Sequence, residues 1–373
     1  MNPAKTARLN ALIALLEAAG HVMTDCPVLV PAGNVLDLVG PLTRGRLYLT
    51  TGIGSREFCL RPEFTISIAE AHLGTGAPGR PARYGYCGPV FRKRATGTGE
   101  FLQAGAESIG RDDAQAADAD MVALAWSACR IFDIRPATVF GDKAVFTAVL
   151  TALDLPSVWH RRLQAAFGDR SRMDDALTEL ETDTKGPRDR FAGLGGLDPE
   201  TATAIVEEMI GRSASLSNSG VIAGRHVNDI ARRLSEKARL HDLSDRMREK
   251  TATIRAYLEI DCPIAEAESR IGRFSHTHGI DLDRQISAFG HRRALMGSNN
   301  EALGASRFQA AFGRPLDYYT GFIFDIFDAK DGRRPVCGGG RYDGLAERLG
   351  APETVPAVGF SLWLDRLLPE GVA

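Results

Sequence analysis

Charged and polar side chains interrupt five segments of this chain that otherwise have the apolar character of β-strands. Gln103, Gly105 and Glu107 alternate along one of them, so their side chains share one face of the predicted strand. A charge inside a sheet costs folding free energy unless it is ion-paired or faces a ligand. The five segments are Leu60–Thr65, Phe91–Arg92, Gln103–Glu107, Arg314–Tyr319 and Phe360–Arg366. Together they predict a sheet with a polar site, although each alone also fits a structural ion pair or a solvated face.

The order of the remaining patterns predicts an α+β fold whose core is split along the sequence. A helical spacing of leucines opens the chain, and an antiparallel hairpin follows, with strands Arg83–Phe91 and Phe101–Ile109. Charge-rich helical patterns dominate from about residue 140 to residue 300, after which strands return. We therefore predict an antiparallel sheet core flanked by helices, formed by residues 1–140 and 301–373. A helical insertion, residues 141–300, interrupts this core.

Composition narrows the classes of partner. Lys and Arg number 45 against 47 Asp and Glu, a net charge of −2, whereas binding a long nucleic acid usually requires a basic excess. The first apolar run, Ala11–Leu16, is too short for a membrane span or a signal sequence. The six cysteines form no CxxC pair, and His276 and His278 lack a neighbouring carboxylate. We predict a reduced cytoplasmic protein with no nucleic-acid or membrane partner, no metal and no cofactor.

The order of the motifs resembles the catalytic core of class II aminoacyl-tRNA synthetases, and specifically the histidyl-tRNA synthetase group. Residues 20–40 are similar to motif 1, which builds the dimer interface in that family. Tyr84–Gly110 resembles motif 2 and Pro356–Arg366 resembles motif 3, while Arg314–Tyr319 and Val336–Leu345 resemble the histidine-specific signature and the stretch after it. The family also carries a C-terminal anticodon-binding domain. This sequence ends seven residues after Arg366, so we expect no such domain.

The resemblance implies a pocket for free L-histidine. An amino-acid zwitterion needs an anion for its ammonium group, a cation for its carboxylate and hydrogen-bonding partners for its imidazole. By the resemblance, Glu63 and Thr65 lie near the α-amino group, and Gln103 bridges towards the ligand backbone. Arg314 faces the carboxylate, which a guanidinium can bind through two parallel hydrogen bonds. The imidazole and the pocket wall are assigned to Glu107, to Tyr318 or Tyr319, and to Tyr342.

The active site of a synthetase also binds ATP, and the same resemblance implies that the ATP-binding part of the site is degenerate in this chain. Synthetases have in motif 2 a glutamate that helps to hold the adenine, and Arg94 stands at that position here. They have a glycine before the Leu-acid-Arg ending of motif 3, where this sequence has Trp363, whose indole should fill much of the adenine slot. Arg92 and Arg366 are retained. We expect no adenylate formation, and we interpret Gly338–Gly340 as a tight turn between strands, not as a phosphate loop.

A synthetase-like core that keeps the amino-acid pocket and loses the nucleotide pocket resembles one further family. This is the family of regulatory subunits of hetero-oligomeric ATP phosphoribosyltransferase, the enzyme that opens histidine biosynthesis. The resemblance implies a non-catalytic homodimer that assembles with a short-form catalytic subunit and transmits feedback inhibition by L-histidine. Two other classes stay open: a truncated histidyl-tRNA synthetase or other adenylate-forming histidine ligase, and an RNA- or kinase-associated sensor.

Overall fold

The structure is a computed structural model that describes residues 3–39, 44–95, 98–182, 221–222, 225–226, 244–297, 300–314, 316–330 and 332–368. Contacts between residues divide the chain into two compact units, one formed by residues 1–146 and 258–373 and the other by residues 147–257. The insertion expected at residues 141–300 is thus wider than the second unit, because residues 258–300 group with the first. Most of residues 183–243, where helical patterns were expected, lies outside the described residues.

The strands and helices of the described residues have the following bounds. The strands are β1 (Val22–Met23), β2 (Leu29–Pro31), β3 (Leu49–Thr51), β4 (Glu57–Leu60), β5 (Ala82–Phe91), β6 (Glu100–Ile109), β7 (Pro136–Asp142), β8 (Val221–Ile222), β9 (Arg225–His226), β10 (Asp261–Pro263), β11 (Arg307–Gln309), β12 (Phe322–Asp328), β13 (Cys337–Arg341) and β14 (Ala357–Trp363). The α-helices are α1 (Pro3–Ala18), α2 (Ala32–Leu38), α3 (Thr65–Leu73), α4 (Ala114–Ile131), α5 (Lys143–Ala152), α6 (Ser157–Ala166), α7 (Arg170–Thr182), α8 (Ser244–Leu258), α9 (Ala267–His278), α10 (Asp283–Leu295), α11 (Glu301–Gly304), α12 (Leu345–Arg348) and α13 (Leu364–Leu367). Two short 3₁₀ segments are Ile53–Ser55 and Ile264–Glu266.

A mixed sheet of nine strands forms the centre of the first unit, in the order β1-β5-β6-β14-β13-β12-β7-β11-β10. Two of its pairings, β1 with β5 and β7 with β11, are parallel, and the remaining pairings are antiparallel. A separate sheet of three strands has the order β2-β4-β3. The predicted α+β class with a largely antiparallel core is therefore confirmed. The sequence reasoning missed two strands of this sheet, β7 and β10. Along the chain, β7 comes shortly before the second unit and β10 shortly after it.

The predicted hairpin carries the polar face of the sheet. β5 and β6 pair along their whole length, from Ala82 opposite Ile109 to Phe91 opposite Glu100. On its other side β6 pairs with β14, so that Glu107 lies opposite Gly359. β6 lies between β5 and β14 within the sheet and is buried over nearly its whole length. The fold thus places the alternating polar residues of β6 in the interior, as their pattern indicated.

The glycine stretch Gly338–Gly340 belongs to β13 and forms no turn, so that interpretation was wrong. The strand is fully buried between β12 and β14. A Cβ atom at Gly339 would overlap the carbonyl oxygen of Gly359 and would come within 2.8 Å of the Phe324 ring. Glycine is required here because the neighbouring strand and ring approach the backbone closely, which is one of the established reasons for glycine inside a strand.

Candidate functional site

Two carboxylates, Glu63 and Glu107, lie in the interior of the first unit, only 4% and 1% exposed. Glu63 stands between β4 and α3, and Glu107 lies near the carboxyl end of β6. The oxygens of Glu63 accept hydrogen bonds from the backbone N–H groups of Thr65 at 2.9 Å and Ile66 at 2.8 Å. Glu63 therefore satisfies the first free N–H groups of α3, where the positive end of the helix dipole favours a negative charge.

Thr65 connects the two carboxylates, because its hydroxyl donates to Oε1 of Glu107 at 2.7 Å. Two tyrosine hydroxyls complete the cluster. Tyr342 donates to Oε2 of Glu107, and Tyr318 donates to Oε2 of Glu63 at 3.3 Å. The two tyrosine rings meet edge to face at 5.8 Å. Five of the eight side chains expected to bind histidine thus form one buried hydrogen-bonded cluster.

The environment of this cluster favours protonated carboxyl groups. Burial raises the pKa of Glu107 to about 8, and the hydrogen bonds from Tyr342 and Thr65 oppose that shift. Burial likewise raises the pKa of Glu63, while hydrogen bonds from Ile66 and Thr65 oppose the shift. The negative charge of Glu63 also raises the pKa of Glu107. At neutral pH the cluster therefore holds a proton that a cationic ligand group could displace.

Gln103 and Arg314 each leave a buried polar atom without a partner among the described residues. Gln103 is 1% exposed, and its Oε1 accepts no hydrogen bond. The Nε of Arg314 is likewise unpaired, while its Nη1 donates to the Asp325 carboxylate. Tyr319 lies beneath this guanidinium, with 5.5 Å between the Arg314 Cζ and the ring centre. The Oε1 of Gln103 therefore remains as an acceptor for a ligand, and the Nε of the charged Arg314 side chain remains as a donor.

Asp325 is a site residue that the sequence reasoning missed. It is the one acid within the apolar run Phe322–Phe327 of β12, and a single charge in such a strand was the signal that could have identified it. Burial raises the pKa of Asp325 to about 6, and the Arg314 guanidinium opposes this shift. The pair lies over Gly338, where a Cβ atom would overlap both Arg314 and Asp325. Gly338 therefore leaves the space that the ion pair occupies.

The residues expected at the degenerate nucleotide site gather around the end of β14. Trp363 is 8% exposed and lies between two cations, with Arg366 Cζ at 4.5 Å and Arg314 Cζ at 5.4 Å from the ring centre. Arg94 pairs with Asp365 at 2.8 Å. Arg92 donates to the carbonyl of Pro62 at 2.7 Å. Each of these arginines thus has a partner within the protein, and the indole fills the space between two of them.

A wide polar cavity of about 1080 Å³ adjoins this region. Its charged lining residues are Arg46, Lys93, Arg94, Arg333, Arg334, Arg366, Asp328 and Asp365.

Over the part of the chain that the structure describes, no group of three or more His, Cys, Asp or Glu side chains is placed to hold a metal ion. Within the same residues, every helix is too short or too polar to span a bilayer.

Three comparisons place this architecture among known proteins. The family model for histidyl-tRNA synthetase matches residues 4–260 and 292–367. A solved structure from Bacillus halodurans, described as an ATP phosphoribosyltransferase regulatory subunit/histidyl-tRNA synthetase, superposes with a TM-score of 0.62 at 18% identity, covering 98% of this chain and 78% of that one. A histidine–tRNA ligase subunit from Alicyclobacillus acidocaldarius gives 0.59 at 22% identity, covering 98% and 93%. These two likenesses concern the fold alone.

Fold and family model together define a class II, histidyl-tRNA synthetase-like protein. Among curated proteins, the ATP phosphoribosyltransferase regulatory subunit of Sinorhizobium medicae is 40% identical over 365 residues, which is 95% of each chain. The protein of the same name from Chelativorans sp. is 39% identical over 373 residues, covering 98% of this chain and 96% of that one. The chain belongs to the family of ATP phosphoribosyltransferase regulatory subunits.

Proposed function

We propose that this chain is the non-catalytic regulatory subunit of a hetero-oligomeric ATP phosphoribosyltransferase and is required for the first step of histidine biosynthesis. It works in the cytoplasm, as a homodimer formed through residues 20–40, together with a short-form catalytic subunit. The observation that carries the proposal is the 40% identity to regulatory subunits over 95% of the chain. A fold shared with synthetases would not by itself distinguish a regulator from a ligase.

The ligand of the buried cluster, on this proposal, is L-histidine. Glu63 and Thr65 receive the α-amino group, Gln103 accepts from the ligand backbone, and Arg314 binds the carboxylate. Glu107 and one of the two tyrosines Tyr318 and Tyr319 hold the imidazole, and Tyr342 forms a wall. Supporting this assignment, an acceptor on Gln103 and a donor on Arg314 are unpaired within the described residues. Buried polar atoms without partners are rare in folded proteins, and a zwitterion supplies the complementary groups.

The proposal also holds that the chain makes no adenylate. Trp363 lies between the Arg314 and Arg366 guanidinium groups, and Arg94 is held by Asp365. A nucleotide base would have to displace the indole, which would lose buried apolar contact and two cation–π interactions. An empty adenine slot in this position would have favoured a ligase instead.

Regulation then follows from linkage between two arrangements of the complex. Histidine inhibits only to the extent that it binds the inhibited arrangement more tightly than the active one. A coupling free energy of about 1–3 kcal/mol changes an affinity by roughly 5- to 150-fold. By thermodynamic reciprocity, any ligand of the complex whose binding histidine weakens must weaken the binding of histidine by the same factor.

The direct test mixes the purified full chain with a short-form transferase and measures copurification and transferase activity across a histidine titration. We expect a stable complex, activity well above that of the transferase alone, and inhibition by histidine. A chain that neither copurifies nor raises the activity contradicts the proposal. Histidine-dependent ATP–pyrophosphate exchange by the chain alone would instead establish the ligase alternative.

The pocket assignment needs its own test. Glu107→Ala and Arg314→Ala should each abolish histidine binding measured by calorimetry, while sedimentation reports an unchanged dimer. Glu100→Ala is a matched control, since Glu100 begins the same strand but is exposed. Binding that persists in both pocket variants would mean that histidine binds elsewhere on the chain.

A further inference from the structure

A second, smaller cavity lies on the face of the nine-stranded sheet that is opposite Glu107. Ser108 follows Glu107 in β6, so the two side chains point to opposite faces of the sheet. Ser108 pairs in register with Arg83 of β5, which places these two side chains on one face. The cavity, about 330 Å³ in volume, is lined by this pair, by His21 before β1 and by helix α4. That volume is at the lower end of the range for small-molecule sites.

Three buried polar atoms in the lining have no hydrogen-bond partner within the described residues. They are both ring nitrogens of His21 and the hydroxyl oxygen of Ser108. His21 is 6% exposed and Ser108 is 3% exposed, so bulk water does not satisfy them. Leaving such groups unpaired makes the folded state less stable. Their convergence on one cavity indicates that its occupant makes polar contacts with both residues.

The charges around the cavity favour an anionic occupant. Arg111 donates to Asp113 at 2.6 Å and to Asp120 at 2.7 Å, and of these two carboxylates only Asp120 lines the cavity. Asp113 lies outside the lining and also interacts with the charge of Arg83. Arg83 donates to the carbonyl of Ala19 at 3.2 Å and makes no ion pair within the described residues. The residues that line the cavity include two cations, Arg83 and Arg111, and one anion, Asp120, so the lining itself is net positive beside the unpaired histidine and serine.

The protonation state of His21 fits this picture. Burial lowers the pKa of His21, and the Arg83 guanidinium lowers it further. The Leu16 carbonyl opposes the shift, although its geometry leaves both ring nitrogens of His21 without a hydrogen bond within the described residues. Arg111 and Asp120, from the other elements that line the cavity, form an ion pair and largely offset one another. A neutral imidazole offers one N–H donor and one acceptor, so His21 can donate to an anion and still accept from a neighbouring group.

We propose that this cavity binds a small molecule bearing a carboxylate or a phosphate group. The guanidinium of Arg83 balances the negative charge, and His21 and Ser108 donate hydrogen bonds to its oxygens. The second ring nitrogen of His21 accepts from a hydroxyl or amine of the same molecule. The site is separate from the Glu63–Glu107 cluster, since a whole sheet lies between them, and it does not depend on the proposed regulatory function.

The test follows the thermal unfolding midpoint of the full chain during titration with two probes, inorganic phosphate and succinate. A ligand that binds the folded state raises the midpoint until the site saturates. We expect a saturable rise with at least one probe, and the more effective probe identifies the anionic group. Arg83→Met and Ser108→Ala should reduce the rise to less than half. Without probe, Ser108→Ala should unfold at or above the wild-type temperature, because the substitution removes a buried hydroxyl that has no partner to lose.

Two substitutions in the same unit serve as controls. Ser306→Ala removes a buried serine elsewhere, and His276→Asn removes an exposed histidine. Both controls should keep the full response to the probe. Spectra of ¹⁵N-histidine-labelled protein should show one ring whose nitrogen signals shift with the probe, absent from His21→Asn. An equal, unsaturable rise in all variants, with no shifted histidine ring, overturns the proposal.

Discussion

Arg341 Nη2 lies 2.7 Å from Oδ1 of Asp118, and both side chains are buried, 7% and 0% exposed. The other oxygen of Asp118 accepts from Arg292, also at 2.7 Å. Asp118 therefore links α4 both to α10 and to the end of β13. Arg341 belongs to one of the strings that resemble the synthetase signature, yet its role here is structural, and only its neighbour Tyr342 reaches the polar cluster.

The first prediction concerns this buried network. Asp118→Asn keeps the shape but removes the charge that two arginines share, so it should lower the free energy of unfolding by about 3–5 kcal/mol. Urea unfolding at neutral pH measures this change. Glu301→Gln, which breaks the exposed pair with Arg135, should change the midpoint too little to detect. Equal effects of the two substitutions would contradict the assigned role of Asp118.

The second prediction is a pH dependence of stability from Glu107. Its pKa is about 8 in the folded chain against an ordinary value of 4.5, so the folded state holds this proton more tightly. The stabilisation that comes from protonated Glu107 is complete below pH 4.5 and is lost as the pH rises through 8. Over this range the free energy of unfolding falls by up to about 1.4 kcal/mol per pH unit. Wild type and Glu107→Gln should therefore diverge across this window in urea unfolding. A constant difference from pH 5 to 9 would rule out the raised pKa.

The third prediction links the same proton to the proposed ligand. If the Glu107 carboxylate binds the imidazole N–H, the affinity for L-histidine should increase about fivefold from pH 7 to pH 8. The Tyr342 hydrogen bond lowers the pKa of Glu107, so Tyr342→Phe should move this increase to higher pH. Calorimetric titrations at several pH values measure both effects. An affinity that does not change with pH would separate Glu107 from the ligand.

The fourth prediction concerns the indole at the end of β14. Trp363→Ala should lower the free energy of unfolding by about 3–5 kcal/mol, the usual cost of removing a buried tryptophan. It should also open the space between Arg314 and Arg366 and create ATP binding detectable by equilibrium dialysis. Trp363→Phe keeps an aromatic ring in place and should bind no ATP. Nucleotide binding by wild type as tight as that of the alanine variant would mean that the indole blocks nothing.

Local patterns predicted the parts of the fold that depend on local interactions. The alternation in β6 identified its polar face, and the β5–β6 hairpin was recognised because its two strands are adjacent in sequence. β7 and β10 were missed because they reach the sheet through long-range pairing, and their sequences are short or lack clear alternation.

The site was predictable in its residue types but not in its internal pairing. Glu63, Thr65 and Glu107 were predicted to share a site, yet nothing in their spacing indicated that Thr65 donates to both carboxylates. Arg314 was expected to be free for a ligand, whereas one of its nitrogens is bonded to Asp325. Such pairings depend on which strands become neighbours, and here β12 lies beside the glycine strand that makes room for the ion pair.

The strand order has a consequence for how the chain folds during synthesis. β14 lies between β6 and β13, and the Tyr86 hydroxyl bonds the Phe360 carbonyl across 274 positions of sequence. The sheet that holds the polar cluster is therefore complete only when the ribosome has released β14, which joins β6 to β13. Until then β6 presents an unpaired edge, the kind of surface that invites aggregation and slow, chaperone-assisted folding. We expect released chains that end before Ala357 to remain bound to chaperones, whereas the full chain folds and is freed from them.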